Sequence, residues 1–84
     1  MWHRYVVPNL VPSDYFSQSF YVSYYCRGLQ DAGVIKKYQV SKIDIETNRF
    51  DVELDLLDET KRDRIDSTFR SVFMATEDPI YVRS

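Results

Sequence analysis

His3 and Cys26 are the only histidine and the only cysteine of the sequence, so nucleophilic chemistry of the thiolate–imidazole kind would have to rest on that pair. A thiolate nucleophile needs a base within hydrogen-bond reach and a third group to orient the base. These two residues come from different elements, and neither stands in a local signature of a cysteine enzyme. Cys26 falls among apolar positions and reads as a small buried thiol. His3, near the terminus, reads as a solvated side chain. One imidazole and one thiol cannot close a zinc site, so no metal is expected. The two glycines stand in no phosphate-cradling loop, and no cofactor is expected. The residues point to a non-enzymatic chain with no catalytic set.

Carboxylates are the next candidates. Asp44 and Glu46 are expected on one strand, and Asp51, Glu53 and Asp55 on the next, all pointing away from the apolar side. Residues two apart on a strand stand roughly 6.7 Å from each other, so these five would form a two-row acidic surface. Acid–base catalysis by paired carboxylates requires a pocket that raises one pKa, which an open sheet face does not provide. The plain reading is a solvated outer face. A second reading is a docking surface for a basic patch, and a third is an acidic nucleic-acid mimic, for which a net charge of −2 is small. Direct nucleic-acid binding through this face is not expected, because the carboxylates would repel phosphates where RNA-binding sheets carry aromatic and basic groups. Lys61, Arg62, Arg64 and Arg70 alternate with Asp58, Glu59, Asp63 and Asp66, the pattern of a solvated helix face laced with ion pairs.

Aromatic residues make up 15% of the chain, and seven of them are tyrosines. Three cluster in "FYVSYYCRGLQDAGVIKKY". If residues 14–32 are helical, Tyr15, Phe16, Phe20, Val22 and Cys26 flank Ser19 and Ser23 on a core face, and Tyr21, Tyr24 and Tyr25 lie opposite with Asp14, Ser17 and Gln18. Tyrosine suits a surface that is wet part of the time, since its ring is apolar and its hydroxyl can bond water or a partner. Interfaces are enriched in it. Tyr21, Tyr24, Tyr25 and Gln18 are therefore the candidate partner interface.

The elements that position these residues follow from the pattern. "WHRYVVP" is strand-like and stops at Pro8. Propensity from 15 to 26 favours a strand, but the punctuation favours a helix over Asp14–Ala32. Ser13 and Asp14 can cap its start, and Gly33, flanked by Leu29 and Val34, can close it. "VIKKYQVSKIDIE" and "RFDVELDL" read as a hairpin around "TN", with a phase shift that suggests a bulge near Ser41. Ile65, Phe69, Val72, Phe73 and Thr76 form one helical stripe, capped by Asp58 or Thr60, with Asp63 completing a weak capping box. A last short strand, "IYVRS", follows Pro79. The order strand, helix, strand, strand, helix, strand predicts an α+β fold of the ferredoxin-like, split βαββαβ kind: two helices on one face of a four-stranded antiparallel sheet whose central strands begin near Trp2 and Arg49. The alternative is an antiparallel β-meander packed by one C-terminal helix.

Hydrophobic residues at 44% and charged residues at 29% describe a globular chain. Residues 1–84 are expected to form one domain. No apolar run approaches the roughly 20 residues of a membrane span, and a lone cysteine fits a reducing cytoplasm. The function expected is that of a small protein-interaction module, a regulator or inhibitor that blocks a partner protein, as phage and mobile-element anti-defence proteins do. One alternative is a self-associating structural subunit of a phage particle or other assembly, with a homodimer as its simplest form. The acidic mimic is the other.

Overall fold

The computed structural model describes residues 1–9 and 18–78. Aromatic and β-branched residues make β1 (Trp2–Pro8) a strand, alternation of apolar and charged residues makes β3 (Arg49–Leu56) another, and each has one covered side. They pair antiparallel with Tyr5 opposite Val52 and Val7 opposite Phe50. Helix α1 (Gln18–Asp31) and strand β2 (Ile35–Val40) lie between them in sequence. A single 3-10 turn (Glu59–Lys61) then leads into α2 (Arg62–Ser71), followed by β4 (Thr76–Glu77). The result is an α+β architecture whose four-stranded antiparallel sheet has the order β2-β3-β1-β4.

Helix α1 ends as its sequence requires. Gly33 takes the left-handed conformation at φ 76°. The Val34 N–H donates to Leu29 O and the Gly33 N–H to Gln30 O, each at 3.0 Å. Leu29 and Val34 both pack on the core, which completes a Schellman stop. The start expected at Ser13 and Asp14 lies outside the described residues.

One buried cluster joins the sheet to both helices: Tyr5, Val7, Phe50, Val52, Leu54 and Leu56 from the sheet meet Val22 and Cys26 of α1 and Ile65 and Phe69 of α2. Rings are its centre. Tyr5 stacks on Phe69 at 4.3 Å between centroids, and Phe69 meets the edge of Phe73 at 5.4 Å. Burial holds the Tyr5 hydroxyl in its protonated form, and Asp66 accepts its hydrogen bond at 3.3 Å. Burial likewise raises the Cys26 thiol to about 12. Cys26 should therefore resist alkylation in the native protein near neutral pH and react only on unfolding. Iodoacetamide labelling followed by mass spectrometry, with and without denaturant, checks this; fast labelling of the native chain would contradict the buried thiol.

Several expectations are corrected. Strand β2 stops at Val40, and its pairing with β3 is irregular twice. One shift lies between Ile35 and Lys37. The other lies past Val40, which faces Val52 while Asp44 faces Arg49, so that one extra residue stands on the β2 side near Ser41, as expected. Asp58 caps the 3-10 turn through the Thr60 N–H, and hydrogen bonds from Thr60 hold its carboxyl below the usual range. Helix α2 itself begins at Lys61 with no side-chain cap, so Asp63 completes no box. The stripe through Val72 and Thr76 is broken. Val72 is exposed at the C-cap, Met74 turns left-handed at φ 56°, and Thr76 pairs with Val6 in β4. The strand expected at "IYVRS" lies outside the described residues.

Candidate functional site

Helix α1 carries two stripes. Gln18, Val22 and Cys26 are buried, and Tyr25 and Leu29 lean on the core beside them. This spacing of four, three and four residues is one face of a helix. Tyr25 meets Phe69 at 5.9 Å and Phe73 at 5.7 Å between centroids. It belongs to the ring cluster rather than to an outer face. The Gln18 amide is only 6% exposed and donates to Phe73 O at 3.2 Å, which ties the start of α1 to the end of α2. Both residues thus leave the expected interface. Phe20 moves the other way: placed on the core face by its apolarity, it stands 50% exposed. The core face of α1 is turned toward Tyr25 because α2 offers it a wall of rings.

The outer stripe runs through Phe20, Tyr21, Tyr24, Arg27 and Gly28, all exposed. Phe20 and Tyr21 meet edge to face at 5.7 Å, and Tyr24 is 75% exposed. Between Gln18 and Asp31 the helix has a single cation, Arg27, and no acid before Asp31. Three large rings on a nearly uncharged solvent-facing helix form an aromatic ridge.

The acidic surface is smaller and more neutral than expected. Glu46 is not a strand residue, and Asp44 keeps only an isolated antiparallel bridge to Arg49. They belong to the turn between β2 and β3, where the Asp44 side chain accepts from the Glu46 N–H at 2.9 Å and Asn48 turns left-handed. Asp51, Glu53 and Asp55 do alternate outward on β3. Arg4, opposite Glu53 on β1, binds the Asp51 carboxylate at 2.8 Å. The terminal ammonium reaches Asp55 at 3.3 Å, and Lys37 of β2 stands opposite Asp55 in the strand register. Cations on both neighbouring strands thus interrupt the row, a feature that reading β3 by itself missed.

His3 is also corrected. It alternates with Tyr5 and Val7, so it faces inward and is 8% exposed. Its Nδ1 lies 3.4 Å from Glu77, which Arg62 binds at 3.1 Å. Glu59 stands 4.0 Å from Nε2. The two carboxylates sit on opposite sides of the ring, so they cannot share a metal with it. Among the described residues no group of three His, Cys, Asp or Glu side chains is placed to hold a metal ion. His3 and Cys26 are separate features of the interior, one beside Glu77 and the other in the apolar cluster. No helix among the described residues is long and apolar enough to cross a membrane.

Comparison with protein-family models, curated proteins and solved structures finds no match to this chain.

Proposed function

We propose that the chain is a small non-enzymatic protein-interaction module of ferredoxin-like topology that works by covering a protein surface with the outer face of α1. The strand pairing supports the topology, since each helix follows one strand and precedes another that lies two places away in the sheet. The aromatic ridge carries the function. Phe20, Tyr21 and Tyr24 place three half-exposed or more exposed rings on one side of a helix whose other side is already filled. Rings of this kind dominate interface energetics because they combine a large apolar area with few rotors. A regulator or inhibitor that blocks its partner, as phage and mobile-element accessory proteins do, is one form of this reading and a self-associating subunit is the other; either suits a reducing cytoplasm where Cys26 stays a free thiol. The acidic-surface readings are weaker, because Arg4, Lys37 and the terminal ammonium stand among the carboxylates.

Changing Tyr21 and Tyr24 together to alanine should weaken partner binding by roughly 2 kcal/mol or more, while the melting temperature of the isolated chain stays nearly constant. Binding titrations beside thermal melts check both halves. Unchanged affinity for a captured partner would remove the ridge from the interface.

A further inference from the structure

We propose that the protein surface this ridge fits is the same ridge on a second copy of the chain, with the two α1 helices antiparallel and a two-fold axis passing through Tyr24. The inference rests on the ridge being an interface and adds the occupant. Phe20 and Gly28 are equally far from Tyr24 along the helix, and so are Tyr21 and Arg27. An antiparallel pair centred on Tyr24 therefore sets Phe20 against Gly28 of the second copy, and Tyr21 against Arg27 of the second copy. Both contacts occur twice by symmetry, as an isologous interface requires.

Each pairing is complementary. Gly28 lies inside the helix, where glycine makes a weaker helix than alanine. A Cβ built there meets nothing within 4 Å, so among the described residues of one copy nothing asks for glycine. A neighbouring ring does: bare backbone at Gly28 forms a shallow recess, and exposed Phe20 is the knob that fills it. Arg27 is the ridge's single cation. Laid over the Tyr21 ring of the second copy, it gains a cation–π contact on each side of the axis. The electrostatics of the ridge are thus satisfied by the ridge itself. With Phe20, Tyr21 and Tyr24 at 50%, 46% and 75% exposure, the rings of two copies would hide on the order of 700 Å². That is below the roughly 1,200–2,000 Å² of a stable interface, so the pair is a weak dimer that forms as concentration rises.

Sedimentation equilibrium over a wide concentration range should show the wild-type chain passing from monomer to dimer. Gly28→Leu fills the recess and strengthens the helix, so it should raise the melting temperature by a few degrees while shifting dissociation at least tenfold toward monomer. A merely structural role for Gly28 would not move the two readouts in opposite directions. Tyr24→Cys places one thiol per copy at the axis; under mild oxidation it should cross-link far faster than Ile45→Cys, which is 93% exposed in the distant β2–β3 turn. A mixture of Tyr21→Cys and Arg27→Cys should give mixed disulfides in preference to either homodimer. A chain that stays monomeric at the highest soluble concentration, with Tyr24→Cys no faster than Ile45→Cys, overturns self-pairing. If such a monomer still loses a different partner on Tyr21→Ala with Tyr24→Ala, the ridge remains an interface and only its occupant is wrong.

Discussion

Phe69→Ala should lower the melting temperature by roughly 12–40 °C, on the basis of about 3–5 kcal/mol for a buried phenylalanine and 4–8 °C per kcal/mol in a domain of this size. Phe69 has no exposed surface and touches rings from three elements: Tyr5 of β1, Tyr25 of α1, and Phe73 beyond the end of α2. Removing it leaves a hole where those elements meet, and no single neighbour can close it without breaking another contact. A domain this small has a total stability of only about 5–15 kcal/mol, so the loss would remove a large fraction of it. Tyr5→Phe is the informative companion. It keeps the stack on Phe69 and loses only the hydroxyl's bond to Asp66, for a cost of about 1 kcal/mol. Circular-dichroism melts of the two variants separate ring packing from hydrogen bonding. Two equal, small shifts would mean that the ring cluster is not the centre of the core.

The parts of this structure that could be read from sequence are those in which several local signals agree. Strand β3 was legible because Phe50, Val52, Leu54 and Leu56 alternate without interruption, and all four are buried. The end of α1 was legible because Gly33, Leu29 and Val34 fit one motif together. Helix α2 was overextended because nothing in "SVFMATED" resembles a breaker. Met74 turns left-handed without being glycine, and the Ala75 N–H reaches back to Phe69 O at 2.9 Å. Pairing with β1 overrides the helical periodicity there. At Asp44 and Glu46 the cause is local instead: the Asp44 side chain accepts from the Glu46 N–H and the Asn48 N–H donates to Asp44 O at 2.7 Å, which closes a turn on the single bridge from Asp44 to Arg49. His3 was legible in principle, since it alternates with Tyr5 and Val7 on the covered side of β1, and strand period outranks closeness to the terminus there.

The candidate site was half legible, and Tyr25 against Tyr24 shows why. The sequence places both on a helix, yet the direction of the buried face depends on what lies across from it. An apolar face centred on Ser19 and Ser23 would suit a helix lying close against a sheet. The structure instead centres that face on Val22, Cys26 and Tyr25, because Phe69 and Phe73 supply partners on one side. A rotation of about one residue step, 100° of helix, exchanges Phe20 for Tyr25. Tyr25→Ala should then cost about 3 kcal/mol, as loss of a large packed ring does. Tyr24→Ala, at 75% exposure, should stay within about 0.5 kcal/mol of wild type, as exposed substitutions do. Urea unfolding at a concentration that keeps the chain monomeric is the suitable measurement, because self-association would lend Tyr24 an apparent stability of its own. If Tyr24 were costly in the monomer and Tyr25 neutral, the helix would be turned the other way, and the ridge would be part of the core. With the order as expected, Tyr25 holds the two helices together and leaves Phe20, Tyr21 and Tyr24 to whatever docks on the outside.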